Sequence, residues 1–191
     1  MRFILALLLF IPFTAFAQET EDKEVQPLPD LQSEAEEEVS EPAMTMERLV
    51  AITQALDVNA SVQGNFVQLT LADVPVLIVA DARADRMRAM VPIRAADGLE
   101  PEELMRLMQA NFDTALDARY AVARGRLWGV FIHPLSPLEK EQLLSGLAQT
   151  VSVALTYGSS YSGGAVQYGG GDSQEIYRGL LDELRKKGEE I

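Results

Sequence analysis

An α+β domain is what this sequence predicts, with an antiparallel sheet of about five strands and the order α-β-β-β-α-β-β-α. Three observations lead there. Apolar runs rich in β-branched residues (Phe66 to Leu71, Val74 to Ala80, Met87 to Ile93) follow one another on links of a few residues, as in an antiparallel meander. Segments with apolar residues at helical spacing precede, interrupt and follow these runs. Finally, 48% of the residues are hydrophobic and none is cysteine. The core must therefore stand on apolar burial, without disulfides or thiolate metal sites.

The chain opens on a leader. Met1-Arg2 brings one positive charge, Phe3 to Phe13 is apolar except for Pro12, and Ala15-Phe16-Ala17 sets small residues at both positions of an A-x-A cleavage site. This is the layout of a Sec-type signal peptide over residues 1–17, cleaved after Ala17. The apolar run is shorter than the roughly 20 residues of a membrane span. The expectation is a periplasmic or secreted protein with no integral membrane segment after signal removal. Residues 18–43 hold ten acids against the single base Lys23, with three prolines and no aromatic residue. That composition predicts a disordered acidic linker. The net charge of −13 is concentrated there, whereas residues 44–171 carry thirteen acids and ten bases. A chain of this sign has no electrostatic drive toward nucleic acid.

The α+β domain spans 44–158. Thr45 is placed to cap a helix in which Met46, Leu49, Val50 and Leu56 recur at helical spacing. The meander follows. Pro75 stands at the start of its second strand, where it harms a ladder least. Arg86 and Arg88 are turned outward on the third, with Arg94 just beyond it a further candidate for the same side. Glu100-Pro101-Glu102-Glu103 favours a helix start, with Leu104, Leu107, Met108, Phe112 and Leu116 as its apolar stripe. Strands over Tyr120–Ala123 and Leu127–His133 flank Arg124-Gly125-Arg126. Ser136-Pro137-Leu138-Glu139 reads as a capping box that opens a helix running to Tyr157, with Gly158 as its stop. Residues 159–171 form a Gly/Ser/Tyr linker. Residues 172–191 form a C-terminal amphipathic helix with Ile176, Leu180, Leu181 and Leu184 on its apolar face.

No catalytic or metal constellation stands out. His133 is the only histidine. The pairs Glu102/Glu103 and Glu139/Glu141 sit in first turns, where the helix dipole accounts for them. No nucleophile elbow or phosphate-cradling loop is present. No cofactor is expected. Arg83, Arg86, Arg88 and Arg94 could form a patch for an acidic ligand or for the chain's own acidic tail; a solvated, guarded edge is the alternative. Met87, Met90, Met105 and Met108 could line an adaptable groove. Trp128 is either core or, if exposed, part of a binding surface. The partner-binding candidates are Arg86, Arg88, Met87, Met90 and Trp128.

The opening helix Met46–Leu56, the meander Phe66–Ile93, the helix Glu102–Leu116, the hairpin Tyr120–His133 and the helix Ser136–Tyr157 together resemble the class I type III secretion chaperones and the YbjN-like proteins. The part most similar to them is Trp128-Gly129-Val130-Phe131 running into Ser136-Pro137-Leu138-Glu139. The resemblance implies a non-enzymatic domain, often dimeric in the chaperone branch, that holds an extended segment of a partner along its sheet. The leader sets this chain apart from those cytosolic chaperones. The expected function is an exported protein-binding or adaptor module of the cell envelope, its partner a protein or peptide segment or a second copy of itself. The alternatives are a small carboxylate-dependent hydrolase and a structural envelope accessory protein.

Overall fold

Helix α1 (Met46–Leu56) begins where Thr45 is extended and its hydroxyl accepts the Arg48 N–H, the cap expected from the sequence. The computed structural model describes residues 41–113, 116–158 and 174–189. The leader, the acidic linker up to residue 40 and the Gly/Ser/Tyr linker over 159–171 lie outside the described residues.

After α1 come β1 (Ser61–Gln63), β2 (Phe66–Leu71), β3 (Val74–Asp81) and β4 (Arg86–Ala95), then α2 (Pro101–Asp113), β5 (Arg119–Ala123), β6 (Arg126–His133), α3 (Lys140–Leu155) and α4 (Gln174–Gly188). The six strands form one antiparallel sheet in the order β1-β2-β3-β4-β6-β5. The predicted class and meander are present, and β1 adds a strand to the five expected. All three of its residues are exposed, so no apolar alternation marks it in the sequence. Two-residue loops set the register of two hairpins. Ala72 and Asp73 (φ 48° and 62°) join β2 to β3, and Arg124 and Gly125 (φ 51° and 69°) join β5 to β6. Left-handed backbone at both central positions matches the twist of the flanking strands.

The side-chain period of two sorts each strand between two faces. Val67, Leu69 and Leu71 of β2, Val76 and Ile78 of β3, Met87, Ala89 and Val91 of β4 and Phe131 of β6 point to one side. There they meet Leu49, Ile52 and Leu56 of α1 and Leu143, Leu144, Leu147 and Val151 of α3. A second cluster joins Leu107 and Ala110 of α2 to Tyr120 and Leu127. Two side chains lock β5 in place. Asn111 brackets the Tyr120 backbone, accepting its N–H and donating to its carbonyl. The Tyr120 hydroxyl donates to the Val153 carbonyl at 2.8 Å, and burial pushes its phenol up to about 12.

Three expectations need correction. Helix α3 starts at Lys140, with a capping box between Glu139 and Gln142, and not at Ser136. Asp85 holds the Ser136 N–H at 2.7 Å and bonds its hydroxyl, so Ser136-Pro137 stays a turn. The stripe assigned to α2 faces outward for the most part: Leu107 is buried, whereas Leu104, Met108 and Phe112 are exposed, Phe112 by 80%. The period was right, but only a narrow face of this helix meets the sheet. Arg94 does not share a face with Arg86 and Arg88. The register slips between Pro92 and Arg94 and pairs Arg94 with inward-facing Leu127. A bulge of this kind moves the following side chain to the other face. Arg94 accordingly donates to the Tyr157 hydroxyl and lies beside Glu103 of α2.

Helix α4 docks on the body. Leu180, Leu181 and Leu184 are buried in the main core, Tyr177 bonds Ser145, Lys140 donates to the Gly188 carbonyl and Arg185 pairs with Glu141. The α4 face predicted to be apolar is thus the docked face, although Ile176 at its start is exposed.

Carboxylates at two junctions make the fold sensitive to acid. Backbone N–H groups of Thr70 and Asn59 donate to Asp57, tying the end of α1 to β2, and hold its carboxyl below the usual range. The Ser136 N–H does the same for Asp85. A carboxyl whose pKa is lower folded than unfolded stabilises above its unfolded value, about 4, and loses that contribution as pH falls through the folded value. Denaturation midpoints of Asp57→Asn and Asp85→Asn are expected to lie below that of the parent at pH 7 and to converge with it as the pH is lowered below about 4. Parallel pH curves for parent and variants would contradict the assignment.

Candidate functional site

The sheet face opposite α1 and α3 carries an open trough of about 880 Å³, lined almost wholly by side chains of β2, β3, β4, β5 and β6. Its floor follows from the register. One row reads Phe66, Val79, Arg88, Ile132 across β2, β3, β4 and β6. The next reads Gln68, Leu77, Met90, Val130 and ends at Arg119 on β5. A third sets Trp128 between Pro92 and Ala121. Phe66 and Ile132 are each more than half exposed.

Four of the five sequence-predicted residues have side chains on this face. Arg86, Arg88 and Met90 are alternate residues of β4, and Trp128 stands on β6. Trp128 is partly exposed, its indole N–H donates to the Ala123 carbonyl at 3.0 Å, and the Arg126 guanidinium lies 5.9 Å from its ring. Met87 also borders the trough, but its side chain is 1% exposed and packs in the core. It lies between Arg86 and Arg88 in sequence and therefore on the opposite face. Of the other methionines, Met105 and Met108 are on the outer side of α2. Arg83 sits in the β3–β4 turn, where its backbone N–H donates to Asp81.

The sequence reading missed Phe66, Leu77, Val79, Val130 and Ile132, although a signal for all but Phe66 was present. A strand with one solvated face alternates apolar with polar residues, whereas an unbroken apolar run belongs to a strand covered on both faces. Val74 to Ala80 and Leu127 to Ile132 are such runs. Core packing explains only every second residue in them.

The charge on this face is mostly positive. Arg86, Arg88 and Arg124 line the trough, and Arg119 and Arg126 stand on the same face by register. That is half of the ten bases in residues 44–171. Among the described residues Asp81 is the only acid of the lining, and it accepts the backbone N–H groups of Arg83 and Ala84. No ion pair engages any of these five arginines among the described residues. Arg86 and Arg119 donate only to neighbouring backbone carbonyls.

Little else on the described surface has the makings of a site. His133 holds the Pro134 carbonyl through Nδ1 at 2.8 Å and stacks beside Phe131. Glu103 bonds Tyr157 and Glu141 bonds Arg185, so the first-turn acids pair with structural neighbours. The carboxyls with shifted pKa values, Glu41, Glu47, Asp57 and Asp85, are all pushed down. Among the described residues no cluster of His, Cys, Asp or Glu could hold a metal ion, and no helix is long and apolar enough to cross a membrane.

Fold and site together define an α+β domain with one helix-covered sheet face and one open, apolar, arginine-bordered face. Comparison with protein-family models and with curated proteins finds no match.

Proposed function

We propose that this protein is an exported, non-enzymatic binding module of the cell envelope, and that the open sheet face receives a segment of a partner protein. One observation carries the reading: Leu77 and Val79 of β3 and Trp128, Val130 and Ile132 of β6 face outward and are apolar like the inward residues between them, yet nothing in the described chain covers them. Leaving such a surface in water forfeits about 25 cal/mol for each Å², and contiguous exposed apolar surface marks an interaction site. The floor also suits an adaptable partner, since unbranched Met90 and aromatic Trp128 and Phe66 all line it. The layout of residues 1–17 supports export.

Two measurements test this. A photo-crosslinking amino acid placed at Met90 in living cells is expected to give polypeptide adducts of defined mass. The same group at Glu47, an exposed position of helix α1, is expected to give none, and Val130→Asp is expected to abolish the Met90 adducts while the fold survives. Equal labelling from both positions would remove the proposal. The N-terminus of the protein isolated from cells is expected at Gln18; an N-terminus at Met1 would remove the export.

A further inference from the structure

We infer that the segment received by the open face is acidic as well as apolar, its carboxylates pairing with Arg88 and the arginines around it. The inference rests on the reading of this face as a protein-segment site and adds the chemistry of the partner.

Arg88 decides the matter by its position. It is not at the rim: it sits in a cross-strand row between Val79 and Ile132, with Met90 one row away on the same strand. A partner that covers the apolar floor must also cover Arg88. A guanidinium taken out of water without a counter-charge is strongly penalised, so a wholly apolar or basic segment would lose there what it gains on the floor. A carboxylate placed over Arg88 removes the penalty and can bond it through two parallel N–H donors. Arg86, Arg124 and Arg126 extend the same demand along the trough; Asp85 lies near Arg86, but no acid of the described chain forms an ion pair with Arg88, Arg124 or Arg126.

The other occupants fit less well. A second copy stacked face to face would set arginines against arginines, with Asp81 as the only acid of the lining among the described residues, and like charges brought together repel. An acidic lipid surface would meet the charge, but it is flat whereas the trough is concave, and it would bring hydrocarbon onto Arg88. From β2 to β6 the trough crosses three inter-strand spacings, about 14 Å, which four or five extended residues can bridge.

Trp128 is the only tryptophan of the chain and stands in the trough, so its emission reports occupancy directly. The probes are a dodecapeptide of leucine, phenylalanine, serine and glutamate, copies with glutamine or lysine in place of each glutamate, and vesicles containing phosphatidylglycerol, each titrated into the full chain. The acidic peptide is expected to shift Trp128 emission and to bind about tenfold or more tighter than the glutamine copy, with affinity falling as salt is raised. Arg88→Glu, a change at an exposed position, is expected to weaken the acidic peptide about tenfold and to improve the lysine copy. Arg126→Glu provides a second reversal and should act in the same direction. Equal binding of acidic and glutamine copies would overturn the inference and leave the segment-binding reading standing. Binding to the vesicles with no response to any peptide would overturn both, as would a dimer that hides Trp128 from every peptide.

Discussion

Gly146→Val is expected to destabilise the protein by about 3 kcal/mol or more, a large share of the roughly 5–15 kcal/mol that holds a domain of this size together. A Cβ at Gly146 would lie 2.5, 2.6 and 2.7 Å from three atoms of the Phe131 ring. The ring is 3% exposed and enclosed in the main core, so it has nowhere to swing. Lifting α3 away would unpack Leu143, Leu144, Leu147 and Val151 from the core and open its close approach to β6 at Gly129, where a Cβ would meet the Thr150 carbonyl at 3.1 Å. Two glycines on facing elements let the helix backbone lie close to the strand. Gly146→Ala should also destabilise, by roughly 1–2 kcal/mol, since the usual gain of about 1 kcal/mol for alanine over glycine in a helix offsets part of the overlap. Phe131→Leu in the Gly146→Ala background should recover part of the loss, a coupling readable from urea midpoints in a double-mutant cycle. A Gly146→Ala protein more stable than its parent would show that Phe131 moves aside freely.

The second large effect concerns α4. Leu184 is 2% exposed and packs with Leu180 and Leu181 in the main core. Leu184→Ala is expected to cost roughly 2–5 kcal/mol of the docking of this helix. The helix is held by one apolar face and a few polar ties to α3 (Ser145 with Tyr177, Glu141 with Arg185), and it shares no strand hydrogen bonds. It should therefore open as a local unit, below the free energy of global unfolding. Hydrogen exchange is expected to show amides of α4 faster than those of α3 in the parent and faster still in Leu184→Ala, with α3 little changed. Equal acceleration of both helices would mean that α4 unfolds only with the whole core.

The elements themselves were legible because each has a local cause. Thr45 and the spacing of Leu49 and Leu56 specify α1, Arg124-Gly125 specifies the β5–β6 hairpin, and the apolar runs specify β2, β3, β4 and β6. The α3 start at Ser136 was misread because Asp85, fifty-one residues earlier, captures the Ser136 N–H. No window of local sequence contains both partners. Three exposed residues in β1 left it without a pattern. The face of α2 went wrong for a similar reason: periodicity shows that a helix has an apolar stripe, but not how much of the stripe has a neighbour.

The candidate site divides along the same line. By itself the sequence determined that Arg86, Arg88 and Met90 share one side of a strand, since a period of two is a property of extended backbone. It also determined that Met87 must take the other side. Only the tertiary structure decided which side is the core, that β6 docks beside β4 and brings Trp128, Val130 and Ile132 onto the face of Arg86 and Arg88, and that the slip after Pro92 turns Arg94 away. Strand order and bulges arise from hydrogen bonds between residues far apart in the chain, and a local pattern holds no record of them.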